Sequence, residues 1–230
     1  MNKQYIIMSD ERPDINENIK INYNLIPTDT INELLPFERR HADMQCLRIN
    51  ETFFVLKEAV TLRNKLRSLG LNVVITEEDI TDKYPENVLL NAVYINSMLF
   101  CKIDAVAGVV KDYCIKHNIK LINVNQGYTK CSTAVFKDCF ITADKGILNK
   151  LNENGVEGLL IESGSINLPG TDYGFIGGCS FYNNRTIYFT GDINNHPNAE
   201  KIKSFIKKRK VNIEILTDKE LYDLGGFILV

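Results

Sequence analysis

The phrase "FITAD" at 140–144 returns as "YFTGD" at 188–192 and as "IIMSD" at 6–10. A strand-like run ending in Asp, used three times, constrains this chain more than any single motif. Self-similarity of this kind means that one small unit is being repeated. The strands that close each unit read "LNVVIT" (71–76), "IKLINV" (119–124), "VEGLLIE" (156–162) and "VNIEILT" (211–217). They are short, β-branched and apolar, as buried strands are.

Each closing strand follows an amphipathic helix. Ala59, Leu62, Leu66 and Leu69 share a face that stops at Gly70, and Val106, Val110 and Tyr113 share one that ends in "KHN". Ile147, Leu148 and Leu151 precede Gly155, while Ile202, Phe205 and Ile206 follow Pro197. Pro at the start, Gly or Asn past the end and cations in the last turn are the expected helix signals. Before each helix stands another strand: "TFFVLKE", "MLFCKID", "CFITAD", "TIYFTGD". Before that comes a further extended segment: "ADMQCLRI", "NVLLNAVYI", "CSTAVF", "YGFIGGCSFY".

The unit is therefore strand, strand, helix, strand, with four copies between about 39 and 217. The chain ends supply a fifth. "LGGFILV" reads as a first strand without a unit, and "QYIIMSD" as a second strand without a first. Pairing Gly226–Val230 with Tyr5–Ser9 closes a ring that leaves no open sheet edge and needs no capping repeat. The expected architecture is one α/β domain over 1–230, a five-bladed α/β-propeller whose last module is shared by the two termini. The Asp residues at 10, 104, 144 and 192 are expected to cap the helices or their leading turns.

Composition removes several function classes. Formal net charge is -2, so no global basic field points to nucleic acid or an anionic membrane. No apolar run approaches the roughly 20 residues that cross a bilayer, and "MNKQYIIMSDERPD" is too short in its apolar part for a signal peptide. A cytoplasmic location is expected. The six cysteines include no CxxC pair and no nearby His, so neither a zinc site nor a disulfide framework is expected. No GxGxxG or P-loop pattern calls for a nucleotide, and no cofactor is expected.

Five such modules resemble the guanidine-modifying enzyme fold, the pentein α/β-propeller. "HADMQC", "KCSTAVFKDCFITADKGI", "YGFIGGCSF" and "LGGFILV" carry the resemblance over essentially the whole chain. The likeness is greatest to a small bacterial branch. The superfamily joins deiminases, dimethylarginine hydrolases and amidinotransferases to a non-enzymatic translation-factor branch. In its catalytic members a His-x-Asp stands at one inner strand and the nucleophilic Cys two modules further on. Here "HAD" supplies His41 and Asp43, and Cys131 in "KCST" stands two modules later, with the chain order rotated.

The resemblance implies a small substrate in the central pore and covalent cysteine chemistry. An amidine or guanidine carbon is a poor electrophile that needs a thiolate. Lys130 and a protonated His41 are expected to favour that thiolate, with His41 then moving the protons and Asp43 offering a carboxylate fork to a guanidinium. Cys179, after Gly177-Gly178, holds a similar place in the next module and is the rival nucleophile. The family's acidic stretches are replaced by "FIGGCS" and "LGGFIL", which leaves Asp172, Asp223 and Glu162 as candidates for those roles. The glycine-rich run "ESGSINLPGTDYGFIGG" (162–178) suits a loop over a pore mouth.

Two other readings remain open from sequence. One is a non-catalytic propeller that binds a protein, RNA or ribosomal partner, for which the basic run "KIKSFIKKRK" is the motivation. The other is ligand sensing without turnover. Oligomeric state is not legible in the sequence. His117 and His196 lie at helix ends and are expected to be structural.

Overall fold

A computed structural model describes residues 3–230; the first two residues, included in the N-terminal reading above, lie outside the described residues. The chain opens with β1 (Gln4–Met8), α1 (Pro13–Asn22) and β2 (Tyr23–Pro27), and reaches the first complete module through the short α2 (Ala42–Gln45). That module contains β3 (Cys46–Ile49), β4 (Thr52–Val55), α3 (Val60–Ser68) and β5 (Asn72–Ile75). The second contains β6 (Val93–Ile95), β7 (Met98–Cys101), α4 (Gly108–Lys116) and β8 (Lys120–Asn123). The third contains β9 (Thr133–Phe136), β10 (Cys139–Thr142), α5 (Lys145–Glu153) and β11 (Glu157–Leu160). The fourth contains β12 (Ser180–Asn183), β13 (Thr186–Phe189), α6 (Ala199–Lys208) and β14 (Asn212–Ile215), and the chain ends on β15 (Ile228–Leu229).

Each module is a three-stranded sheet of one design. An antiparallel hairpin joins the inner to the middle strand, and the helix then crosses over to a parallel outer strand. Two-residue turns close the hairpins. Asn96-Ser97 and Asn184-Arg185 have positive φ at both positions, the turn whose twist matches the strands it joins. The middle strands are covered on both faces, which is why they read as unbroken apolar runs: Phe53, Phe54 and Val55 are all buried. Helices lie outside, with Leu62 and Leu66, Val110 and Cys114, Ile147 and Leu151, and Ile202 and Ile206 turned inward.

The fifth sheet has the order β15-β1-β2, with Ile6 opposite Leu229 and Ile7 opposite Ile228. The termini thus complete one module. A cavity of about 290 Å³ is lined by Leu47, Val93, Val135, Phe181 and Ile228 among others, so all five inner strands face one hub. All six cysteines are free and buried, which fits Cys101, Cys114 and Cys139 as small core hydrophobes.

Two local expectations need correction. Asp144 accepts from the Ile147 N–H at 2.8 Å and Asp192 from the Asn194 N–H at 2.9 Å, but Asp10 and Asp104 cap no helix. Asp10 pairs with Arg40 instead. The caps of α3 and α4 come from the neighbouring module: Asp29, after β2, accepts from Leu62 N at 2.8 Å, and Glu78, after β5, from Gly108 N at 2.6 Å. These bonds satisfy orphan helix donors and tie one blade to the next.

The segments before the inner strands are also less extended than expected. Residues 42–45 form a helical turn, and β6, β9 and β12 begin only at Val93, Thr133 and Ser180. Gln45 explains the first case. Its buried amide donates to the carbonyls of Asp29 (2.7 Å) and Arg39 (2.9 Å) and accepts from Asp29 N (3.0 Å), which locks a turn in place of a strand. Cys131 accordingly precedes its strand, in a turn. These pre-strand turns gather at one end of the hub.

Candidate active site

His41, Asp43, Asn91 and Cys131 all belong to these turns, and Gly225 packs against them. A Cβ on Gly225 would fall 2.1 Å from both Cβ and Cγ of His41, so only glycine fits there, and its φ of 71° is the one glycine adopts freely. The Gly225 carbonyl accepts from Asp43 N at 2.9 Å, and the Gly225 N–H donates to Asp223 Oδ1 at 2.8 Å. The last module thereby positions the His-x-Asp of the first.

Cys131 is held from two sides. Asn91 Oδ1 accepts from Lys130 N (2.7 Å) and Cys131 N (3.2 Å), while its Nδ2 lies 3.0 Å from Cys131 Sγ. From the fourth module, Gly177 N donates to the Cys131 carbonyl at 2.8 Å. A Cβ on Gly177 would stand 2.2 Å from the Lys130 carbonyl, so the two backbones touch.

His41 and Cys131 line one cavity of about 300 Å³, together with Glu38, Asp172, Asp223 and the rings of Phe37, Tyr128, Tyr173 and Phe175. The His41 side chain makes no hydrogen bond to any described residue and is buried. Asp43 stands beside the Cys131 thiol and is buried, and apart from that thiol neither of its carboxylate oxygens has a hydrogen-bond partner among the described residues. Burial pushes its carboxyl up to about 6, against the opposing pull of His41 and Lys130. Burial also pushes the Cys131 thiol well up, and the Asp43 and Asp223 carboxylates push it further. The surroundings of the sulfur thus run against the expectation that cations favour its thiolate: burial comes first, and the charges that act on it are the Asp43 and Asp223 carboxylates.

The remaining expected residues separate by position. Asp172 is exposed at the cavity mouth, on the glycine-rich loop, where it makes no hydrogen bond to any described residue. Lys130 lines the hub cavity, as Asp43 does, with Gly226 between them: a Cβ there would fall 3.3 Å from Asp43 Oδ2 and 3.7 Å from Lys130 Nζ. Glu162 lies away from the cavity. It exchanges hydrogen bonds with Asn198 at the start of α6 (2.6 and 2.9 Å), the inter-module position that Asp29 and Glu78 fill elsewhere. Cys179 is fully buried, its thiol donating to the Ile176 carbonyl at 3.3 Å and packed in the core with Ala134 and Phe136. Burial drives its pKa well up too. His117 stacks on Tyr113, and His196 accepts from Asn198 N through Nδ1 at 3.0 Å.

Asn91 and Glu38 escaped the sequence reading. Asn91 did leave a signal, a polar residue breaking the apolar run "NVLLNAVYI". Glu38 accepts from the Tyr128 hydroxyl at 2.7 Å and from Asn87 Nδ2 at 3.2 Å, three groups spread over 90 residues of chain. Among the described residues no cluster of His, Cys, Asp and Glu has metal-holding geometry, and no helix is long and apolar enough to cross a membrane.

The model of DUF6873, described as a family of unknown function, matches residues 7–228. The chain belongs to the DUF6873 family. No curated protein matches this DUF6873 member by sequence. Solved structures do match it in shape. A dimethylarginine dimethylaminohydrolase adduct with S-methyl-L-thiocitrulline superposes with TM-score 0.62 at 10% identity, covering 100% of both chains. DDAH from Pseudomonas aeruginosa, complexed with citrulline, gives 0.58 at 8% identity, again over 100% of both chains. C. jejuni agmatine deiminase gives 0.53 at 10% identity, covering 94% of this chain and 87% of its own. The fold is the pentein α/β-propeller. At these identities the likeness carries the fold and not the chemistry.

Proposed function

We propose that this protein is a cysteine-dependent enzyme that cleaves a C–N bond in a small guanidine or amidine, with Cys131 as nucleophile, His41 as proton carrier and Asp43 as the anchor of the cationic substrate. One observation carries the reading: a buried carboxylate that no N–H donor reaches among the described residues stands beside a buried thiol, and a histidine shares the thiol's cavity. A buried carboxylate left unpartnered is costly, and a planar cation with N–H donors is the ligand that satisfies it. The structural neighbours include a hydrolase and a deiminase of guanidine compounds by their names, which agrees with this reading.

The chemistry follows from charge. Before substrate binds, burial and the two carboxylates hold Cys131 as a thiol. An amidinium seated between Asp43 and Asp223 offsets them, so the thiol proton passes to His41 and the sulfur attacks the central carbon. His41 returns that proton to the departing nitrogen as the C–N bond breaks, leaving an amidino-thioether on Cys131. Water then adds, giving one proton to His41, and collapse expels the sulfur, which regains its proton. A second amine in place of water would make the outcome a transfer.

Reaction with 2-chloroacetamidine, followed by peptide mapping, tests this. Labelling is expected at Cys131 and not at the other five cysteines, and at least about tenfold slower in His41→Ala, the lower end of the general acid–base range being discounted for a probe that needs no leaving-group proton. Labelling of Cys179 instead, or equal rates in the two proteins, would overturn the assignment.

A further inference from the structure

The walls of the Cys131 cavity carry an imbalance of charge that bears on the rest of the substrate. Its lining contains three carboxylates, Glu38, Asp172 and Asp223, and His41 as the sole basic group. Outward it adjoins a cleft of about 470 Å³ that shares Phe37, His41, Leu168 and Asp223 and adds Glu11 and Tyr222, again without Lys or Arg. The nearby arginines are engaged elsewhere. Arg12 lies over the Tyr222 ring at 4.3 Å and holds Asp14 through two bonds, at 3.0 and 2.8 Å. Arg39 donates to the carbonyls of Leu34 and Asn32, and Arg40 pairs with Asp10.

A substrate carboxylate entering this space would meet acids on its path and no Lys or Arg in the lining, Lys130 being turned to the hub cavity on the side of Asp43. Juxtaposed like charges of this kind cost several kcal/mol. A positive tail meets the reverse: an unengaged carboxylate on Asp172 at the mouth, and aromatic faces on the way to it. Tyr128 and Phe175 are stacked with centroids 6.2 Å apart, and Tyr173 meets Phe175 edge-on at 6.2 Å. Such surfaces attract cations through their π faces. The volume, about 300 Å³, is at the lower limit of small-molecule sites and suits a chain of a few carbons.

We propose that the substrate is cationic at both ends and carries no carboxylate: a guanidinium or amidinium beside Cys131, and an amine on a short alkyl chain at Asp172. This rests on the cysteine chemistry above for what happens at the first end, and on the lining charges alone for the second. Arginine-like amino acids are thereby disfavoured.

Calorimetric titration of the Cys131→Ser protein with 4-aminobutylguanidine, butylguanidine and arginine tests it, with thermal shifts of the unsubstituted protein as a second readout. The expected order of affinity is aminobutylguanidine, butylguanidine, arginine, with at least about tenfold between first and last. Asp172→Asn is expected to weaken aminobutylguanidine about threefold to tenfold and leave butylguanidine unchanged, as an exposed-to-half-buried ion pair would. Arginine binding as tightly as aminobutylguanidine, or equal losses for both guanidines in Asp172→Asn, overturns the proposal, as does failure of all three to bind. Labelling by 2-chloroacetamidine, which has no tail, separates the two claims. If it marks Cys131 while arginine is accepted, the thiol chemistry stands and the charge rule falls. If it marks nothing while the affinity order holds, the charge rule stands and the chemistry falls.

Discussion

Replacing Asp43 by Asn is expected to change the reactivity of Cys131 in opposite directions for neutral and cationic reagents. Without substrate the Asp43 carboxylate destabilises a thiolate beside it. Two unit charges about 4 Å apart at an effective dielectric of about 20 interact by about 4 kcal/mol. Water entry in the variant reduces this, and at least about tenfold more thiolate at pH 7.5 is a conservative expectation. Iodoacetamide, which is neutral, should therefore alkylate Cys131 of Asp43→Asn at least about tenfold faster, with its pH midpoint moved down. The cationic 2-chloroacetamidine loses its anchor and should slow by a comparable factor. Rates between pH 5 and 10, with peptide mapping to separate Cys131 from the five other buried cysteines, give both numbers. The same substitution tests the carboxyl's own burial. Its pKa rises from the usual 3.8 to about 6 on folding, so the stability tied to it is complete below 3.8 and is lost as pH climbs through about 6. At pH 7.5 the charged group costs up to about 3 kcal/mol, so the unliganded variant should melt higher than the parent there, and the difference should vanish near pH 4. If both reagents slow together, or the variant melts lower at pH 7.5, Asp43 is a shape element and the electrostatic reasoning fails.

Asn91→Ala removes the acceptor for the Lys130 and Cys131 amides, leaving one half-buried and one buried donor. A loss of about 2–4 kcal/mol in denaturant unfolding is expected, along with loss of the amidine labelling. Gly225→Ala must displace His41, whose Cβ and Cγ lie 2.1 Å from the new methyl, whereas Gly70→Ala meets nothing within 4 Å at a similar φ of 76°. Both should lose about 1 kcal/mol from backbone strain, while only Gly225→Ala loses more and slows 2-chloroacetamidine labelling of Cys131.

The blades were legible because their information is local. Middle strands such as "TFFV" and "CFIT" are buried on both faces and read as apolar runs, and each helix face repeats with the right period. Closure was legible because two incomplete units stood at opposite ends of the chain. The turns at the hub were not, since bonds between distant residues shape them. Gln45 is folded back by Asp29 and Arg39, and Cys131 is set by Asn91 and Gly177. Helix capping failed at Asp104 for the same reason, the cap of α4 being supplied by Glu78 of the preceding blade, and at Asp10 because the distant Arg40 holds its carboxylate. At the site, His41 and Cys131 line one cavity, two modules apart around the ring, and Asp172 joins them from the glycine-rich loop, while Asp43 faces the hub cavity and Glu162 is spent on joining blades three and four.

The antiparallel pairing of Ile6 with Leu229 has a kinetic consequence. Contacts between residues so far apart in sequence must wait for nearly all of the chain, and high contact order slows folding. During synthesis the four internal blades can form in turn, but Gly225 reaches His41 only after all four have been made. The nascent polypeptide therefore exposes β1 as an edge without its antiparallel neighbour, and the pocket around His41 and Cys131 stays unfinished until the segment that carries Gly225 and β15 has folded back onto it.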